Sequence, residues 1–420
     1  MKIRSVRSHL LSYPFPAPIE LKYYGGTRRI VKRDAMLIRV ETENGLVGYA
    51  PGEGSEKAHQ AIMELIAPFL IGRVLADADA LRVQFDRHVQ SRPDLMKTYC
   101  TVEVALYDLM GKAMGMPVSE LLGGRVRDTI GLYGSAGMYM EPEGYGLEAA
   151  LTRELGFKAY KMRPAMGPEK DLATLARMRK EAGPDLGLMV DAHSWWRMGD
   201  LSYAPEMVEM LAGEMAKYDI TWLEEPLPPN DHEAYRRLKE KDLVPLASGE
   251  HEQTEDGFLD LIQNELVDFV QMDVVCQGGY ALGRRLFAEI ARRGIRFAFH
   301  SWGTELEIAA AAQVGICWPE PVVQWLEYPL YSKPGRKFMY EFPLASEILA
   351  EPLEIKDGAL HVSRGPGLGV VVNEGVIEKY PWIPGPWSYF TLTSPPGTFA
   401  VVSDHSIPFV AAGTMAEGTK

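Results

Sequence analysis

The chain has 420 residues and a formal net charge of −13. That field repels phosphate backbones and anionic membranes, and no Lys/Arg run interleaved with aromatics offsets it, so nucleic acid and membrane are excluded as partners. Apolar residues at 46% and charged residues at 24% suffice for a full core, and the length allows one large domain plus a smaller one. Cys100, Cys276 and Cys317 are widely separated, which fits neither a disulfide framework nor a metal clip and points to a reducing cytoplasm. Prolines interrupt the apolar stretch within residues 1–18 before a signal-peptide core develops, and Ile308–Trp318 is too short to span a bilayer.

In chain order, Ala35–Val40 and Leu46–Ala50 flank Glu43-Asn44-Gly45, a strong hairpin signal. Helical stretches follow, so residues 1–125 read as an α+β capping domain. From about residue 129 a unit recurs every 24 to 33 residues: a short apolar strand, a polar residue at its end, then an amphipathic helix. The strand cores are Ile130–Tyr133, Ala159–Met162, Leu188–Val190, Thr221–Leu223, Pro245–Ala247, Phe269–Met272, Phe297–Phe299 and Gln324–Leu326. A closed parallel barrel needs eight such strands. Between them, residues 167–182 open on Pro168 and Glu169, and Leu282, Leu286 and Ile290 recur every fourth residue, both marks of helices. The expected fold is therefore α/β: a (β/α)-barrel over residues 126–340 with an α+β cap. Beyond strand eight the chain turns Gly/Pro-rich; residues 341–394 are expected to return and complete the cap, and 395–420 to form an arm or tail.

In a parallel barrel all strands end on one face, so residues closing successive strands meet in space. Here those ends carry Lys161 and Arg163, Asp191 and His193, Glu224 and Glu225, Glu250, Asp273, His300, and Glu327. Carboxylates on strands three, four and five would repel one another without a cation, and hard oxygen ligands suit Mg²⁺. Adjacent strand residues face opposite ways, so only one of Glu224 and Glu225 points into the mouth. In the cap, Tyr23, Tyr24, Arg28 and Arg29 read as a Gly-containing loop, either of the kind that closes over a substrate or plainly solvated; Tyr23 and Arg28 are the candidates for contact. Trp195, Trp196 and Trp302 read as packing between barrel and cap.

The runs Gly156-Phe157-Lys158-Ala159-Tyr160-Lys161-Met162-Arg163, Val190-Asp191-Ala192-His193, Trp222-Leu223-Glu224-Glu225-Pro226, Ser248-Gly249-Glu250, Gln271-Met272-Asp273 with Gly278-Gly279, and His300 resemble the mandelate racemase subgroup of the enolase superfamily. Ala105, Asp108, Gly111-Lys112 and Leu121-Leu122-Gly123-Gly124 resemble the end of that family's capping domain. The resemblance implies a barrel of the enolase type and Mg²⁺ held by Asp191, Glu224 and Glu250. It further implies removal of the α-proton of a small carboxylic acid by His300, oriented by Asp273, through an enediolate. Lys161 would bind a carboxylate oxygen, and Glu327 would hydrogen-bond the intermediate if it carries a proton. A homo-oligomer is expected on the same grounds.

One position departs from the racemase pattern. Arg163 stands where the racemase has a second lysine as the opposite base, and a guanidinium remains protonated to about pH 12. A single base suits abstraction of the α-proton followed by expulsion of a β-hydroxyl, which is dehydration of a sugar acid, an aldonate or aldarate, to a 2-keto-3-deoxy acid. His193 resembles a histidine of several sugar-acid dehydratases and is a candidate acid or hydroxyl ligand. The alternatives are a racemase or epimerase using His300 with His193 or Arg163, and a non-catalytic barrel that binds a sugar acid. The cycloisomerase branch ranks lower, because Asp273-Val274-Val275 stands where a lysine near the end of strand six is expected.

Overall fold

The computed structural model describes residues 1–401 apart from Gln253, Cys276 and Pro395; the part of the expected tail from 402 to 420 lies outside the described residues. Eight parallel strands form the barrel: β4 (Thr129–Met138), β5 (Ala159–Arg163), β6 (Gly187–Asp191), β7 (Ile220–Glu224), β8 (Leu246–Ser248), β9 (Phe269–Met272), β10 (Arg296–Phe299) and β11 (Val323–Pro329). Each pairs with its neighbour in sequence, and β11 pairs back onto β4, closing the barrel. Seven of the eight strand cores expected from the sequence lie inside these elements, and the eighth, Pro245–Ala247, starts one residue before β8. The helix beginning at Pro168 runs to Ala182.

The barrel interior is filled by one side chain from each strand. Tyr133, Ala159, Met189, Trp222, Ala247, Phe269 and Ala298 are fully buried together, and Trp325 packs against them. Large residues face small ones around this layer, which is how a barrel of eight strands fills its centre. The Tyr133 and Trp222 rings meet edge to face at 5.3 Å, and Trp222 lies 4.9 Å from Phe269. The layer is a packed, largely apolar floor beneath the strand ends.

The cap is an antiparallel sheet of β1 (Ile3–Tyr23), β2 (Gly26–Thr42) and β3 (Val47–Gly52), with the Glu43-Asn44-Gly45 turn between β2 and β3. Two short strands, β12 (Ile355–Lys356) and β13 (Ala359–His361), add to the barrel edge at β4. The chain then returns to the cap as β14 (Ser388–Thr393), which pairs with β2, and as β15 (Pro396–Val401), which pairs with β14. β1 is long although Pro14, Pro16 and Pro18 sit within it. It is an edge strand, where proline's missing N–H is tolerated, and its pairing with β2 shifts register between Pro14 and Ile19.

Asp108, on the long cap helix Pro93–Met114, ties three segments together. One carboxylate oxygen accepts from the Tyr49 N–H at 2.8 Å and from Lys112 Nζ at 2.6 Å; the other accepts from the Leu368 N–H at 2.8 Å. Gly367 makes this approach possible: its φ is +70°, and a Cβ there would stand 2.0 Å from Asp108 Oδ1. Asp108→Ala strands two backbone donors and is expected to lower stability by about 3 kcal/mol. Urea unfolding measures it, and an unchanged midpoint would mean that packing alone holds β3 and the returning segment.

Candidate active site

Strand alternation carries the interior floor directly into the polar layer above it. Two residues beyond Tyr133, Ala159, Met189, Trp222, Ala298 and Trp325 come Ser135, Lys161, Asp191, Glu224, His300 and Glu327, all buried. Asp191 and Glu224 are paired in register between β6 and β7. Glu250 breaks the parity, being three residues past Ala247, and reaches the mouth because Gly249 turns the chain. Its φ is +130°, and a Cβ there would meet Gln271 O at 2.2 Å.

Lys161 is the hub. Its ammonium donates to Glu224 Oε1 at 2.9 Å, pairs with Glu327 Oε1 at 3.0 Å and lies 3.7 Å from Asp191 Oδ2. Burial works against its charge, but Glu224 and Glu327 outweigh burial and hold its pKa well above the ordinary lysine range. Arg163 pairs through Nε with Asp191 Oδ2 at 3.1 Å, donates to Ala136 O at 3.0 Å, and stacks 4.0 Å over the Trp302 ring. Burial again opposes the charge, while Asp191 and Glu327 keep it protonated. Trp302 is therefore a platform for Arg163 as well as packing. Burial raises Glu327, yet Lys161, His300 and Arg163 bring it down to about 2. Its Oε2 accepts the Ser301 N–H at 3.0 Å. The two cations against Glu327 favour its ionised form here, so the donor role conditional on a proton depends on what a bound substrate does to those contacts.

On the other side of the mouth the balance reverses. Burial, with the charges of Asp191 and Glu250, pushes Glu224 up to about 8, and burial with Asp191 and Glu225 does the same to Glu250. Glu224 also accepts from Trp222 Nε1 at 2.9 Å, whereas Glu250 Oε2 is buried without a hydrogen bond. Asp191 stays ionised: burial opposes this, but His193, Lys161 and Arg163 prevail.

His300 Nε2 faces Glu250 Oε2 at 3.3 Å and Glu327 Oε2 at 3.9 Å, and its Nδ1 is 3.7 Å from Asp273 Oδ2. Burial lowers the His300 pKa, but Glu327 and Asp273 more than offset it, so the net shift is upward. His193, its side chain 14% exposed at the rim, has Nδ1 2.7 Å from Asp191 Oδ1; burial pushes its pKa down to about 4. With Nδ1–H given to the Asp191 carboxylate, Nε2 is left as an acceptor.

His251 is part of the site although its sequence position drew no attention; it follows the strand-end Glu250, the one signal that points to it. Its Nδ1 lies 2.6 Å from Glu225 Oε2 and 3.2 Å from Glu250 Oε1, and Arg197 Nη2 is 2.7 Å from its Nε2. Glu225 turns away from the mouth toward His251 on a left-handed backbone, φ +40°, just before Pro226.

Two groups have ligand atoms within 4.8 Å of one another: Asp191, His193 and Glu250, and Glu225, Glu250 and His251. Glu224 stands beside the first, turned to Lys161 and Trp222. A buried surplus of carboxylate charge, with Glu250 Oε2 unsatisfied, fits a hard divalent cation.

Of the cap candidates, Tyr23 ends β1 and Arg28 lies in β2, so they stand on paired strands and only Tyr24 and Gly25 form the turn. Both side chains are buried at the cap's inner face, and Tyr23 meets Tyr139, the residue after β4, at a ring distance of 5.2 Å. The Tyr139 hydroxyl is 2.8 Å from Ser194 Oγ, next to His193. Tyr24 is 47% exposed and Arg29 pairs with Glu20 on the outer face. No described helix is long and apolar enough to cross a membrane.

Residues 146–376 match the family model for enolase C-terminal domain-like proteins, and residues 23–123 match the N-terminal domain of mandelate racemase / muconate lactonizing enzyme. The chain is 29% identical over 395 residues to the D-galactarolactone cycloisomerase of Agrobacterium fabrum, covering 90% of this chain and 99% of that protein. The crystal structure of the 3,6-anhydro-D-galactonate cycloisomerase from Zobellia galactanivorans is similar with a TM-score of 0.76 at 27% identity, covering 90% of this chain and 99% of that one. A member of the enolase superfamily from Polaromonas sp. JS666 is similar with a TM-score of 0.79 at 29% identity, covering 92% and 99%. Two of these relatives are named cycloisomerase, so the low rank given to that branch on the missing lysine after β9 is not supported.

Glu224→Gln and Glu250→Gln are each expected to weaken Mg²⁺ binding by more than about tenfold while the fold persists. Calorimetric titration with Mg²⁺, alongside circular dichroism, reads this. Unchanged affinity in both variants would remove these residues from the ligand set.

Proposed function

Because the chain belongs to the mandelate racemase/muconate lactonizing enzyme family of the enolase superfamily, we propose that it catalyses β-elimination from a sugar acid, beginning with α-proton abstraction by His300. The observation that supports this most is the asymmetry of the mouth. Lys161 and Arg163 on β5 are both held protonated by carboxylates, and His300, the residue after β10, stands across Glu327 from them, where it would take up a proton. One face of a bound α-carbon thus meets cations and the other meets an imidazole.

Mg²⁺ held by Asp191, Glu224 and Glu250 would supply the positive charge against which a carboxylate gives up its α-proton. Lys161 and Arg163 bind and orient that carboxylate, taking up part of the charge that develops on it. Asp273 holds the His300 ring from the Nδ1 side, leaving Nε2 toward the substrate. The Cα–H bond breaks as His300 takes the proton, a carbon–carbon double bond forms, and the β-carbon–oxygen bond breaks. The departing oxygen receives a proton from His300 if elimination is syn, with His193 Nε2 accepting a substrate hydroxyl. The floor of Tyr133, Trp222 and Phe269 keeps water from below.

For an open-chain aldonate or aldarate the products are water and an enol that becomes the 2-keto-3-deoxy acid, which makes the enzyme a hydro-lyase. A second reading follows from the two cycloisomerase relatives. Where the β-oxygen belongs to a ring, the same bond changes open the ring with no atom lost, and the reaction is an isomerisation.

His300→Asn is expected to stop product formation and α-proton exchange with D₂O, each by more than about a hundredfold. Arg163→Lys installs an amine that can lose its proton, and is expected to begin inverting the α-centre, which the wild type leaves unchanged. Proton NMR in D₂O over mono- and diacid sugars and their lactones reads exchange, inversion and product together. Inversion by the wild type, or undiminished exchange in His300→Asn, would favour an epimerase instead.

A further inference from the structure

The cap carries a buried cation with no carboxylate among the described residues to neutralise it. Arg28 on β2 lies directly across from Leu21 on β1 and Phe390 on β14. Its guanidinium carbon is 4.7 Å from the Trp387 ring centre and 4.9 Å from that of Phe390, within cation–π range of both rings. The residue is 7% exposed, Nε is buried without a hydrogen-bond partner, and no carboxylate among the described residues pairs with it. Burial lowers its pKa, and Arg33 and Arg163 add to that. Beside it, the buried Tyr23 hydroxyl also lacks a partner.

Neighbouring Arg33 shows what a purely structural arginine looks like here. It donates to Tyr340 Oη at 2.6 Å and to Trp302 O at 2.8 Å. Arg28 makes neither kind of contact, although it shares Trp387 with Arg33, whose guanidinium lies 5.0 Å from the ring. The stacked groups run from the barrel mouth into the cap: Arg163 on Trp302, Arg33 between Trp302 and Trp387, and Arg28 on Trp387. Such an arginine keeps its planar donor edge ordered for an anion supplied from outside the chain.

Resting on the reading of the barrel mouth as the site of the reacting carboxylate, we propose that Arg28 and Tyr23 form a second anion subsite. It takes the distal carboxylate of a dicarboxylic sugar acid or its lactone, and so makes diacids the preferred substrates. One guanidinium and one hydroxyl match a singly charged, planar carboxylate better than a phosphate, which carries more charge and calls for more donors. A monoacid leaves this cation buried and unpaired, and the preference follows from that.

The test measures binding apart from turnover. The Mg²⁺-loaded His300→Asn protein is titrated calorimetrically with matched pairs, glucarate with gluconate, galactarate with galactonate, and mannarate with mannonate. For the best-bound pair the diacid is expected to bind about 10–100-fold more tightly than the monoacid. Adding Arg28→Met, which keeps the stem and removes the charge, is expected to abolish that preference while monoacid affinity changes by less than about twofold. Arg28→Lys, for use if the methionine variant does not fold, is expected to retain an intermediate preference. No preference for any diacid, no diacid binding at all, or an equal loss for both members of a pair on Arg28→Met would overturn the subsite. Exchange of the α-proton in D₂O by wild-type protein separates this from the reaction itself. Arg28-dependent diacid binding without exchange would sink the elimination and leave the subsite, whereas exchange on mono- and diacids alike, indifferent to Arg28, would sink the subsite and leave the elimination.

Discussion

Burying Asp191, Glu224, Glu250 and Glu327 in one layer requires concentrated positive charge, because water cannot reach them through the packed floor of the barrel. The protein supplies Lys161 and Arg163, both from β5: Lys161 meets Glu224 at 2.9 Å and Glu327 at 3.0 Å, and Arg163 meets Asp191 at 3.1 Å. The result is a divided mouth. Asp191 and Glu327 are ionised and paired, whereas Glu250 and, despite its contact with Lys161, Glu224 are pushed upward by burial and by neighbouring carboxylates. The roles proposed for His300, Lys161 and Arg163 all derive from that division, since it decides which groups are protonated before a substrate arrives.

Much of this was legible because a barrel strand is a short apolar run with one polar terminus. The period of two that turns Ala159, Met189, Trp222 and Trp325 into the barrel also fixes the facing of Lys161, Asp191, Glu224 and Glu327. Where parity fails, reading fails with it. Glu250 arrives through the positive φ of Gly249, and Glu225 departs on its own positive φ toward His251. Neither conformation is written in the hydrophobic pattern, so His251 and Arg197 escaped notice. The protonation of Glu327 was likewise hidden, because it depends on distances to Lys161 and Arg163 that only folding sets.

The cap was less legible for a different reason. Strand β1 contains three prolines and looks unlike a strand until β2 lines up beside it, and β14 joins from the far end of the chain. Such non-local pairing leaves no local periodicity to read. The aromatic rings against Arg28 are Trp387 and Phe390 of that returning segment, whereas Arg28 belongs to β2. A subsite assembled from both ends of a chain becomes visible only when they are brought together.

On the proposed chemistry, this division of labour bears on how one barrel layer would serve either loss of water or ring opening. Abstraction of an α-proton makes the same demands in either case: a carboxylate held against positive charge, and a base on the opposite face. What differs is whether the departing β-oxygen remains tethered to the product, and no group in the barrel layer distinguishes the two. The distinction therefore falls to whatever fixes the remainder of the substrate, which is the inner face of the cap with Tyr23, Arg28 and the aromatic residues of β14 and its approach. Lyase and isomerase are then two outcomes of one proton abstraction. Which outcome occurs follows from which ring or chain the cap aligns over His300.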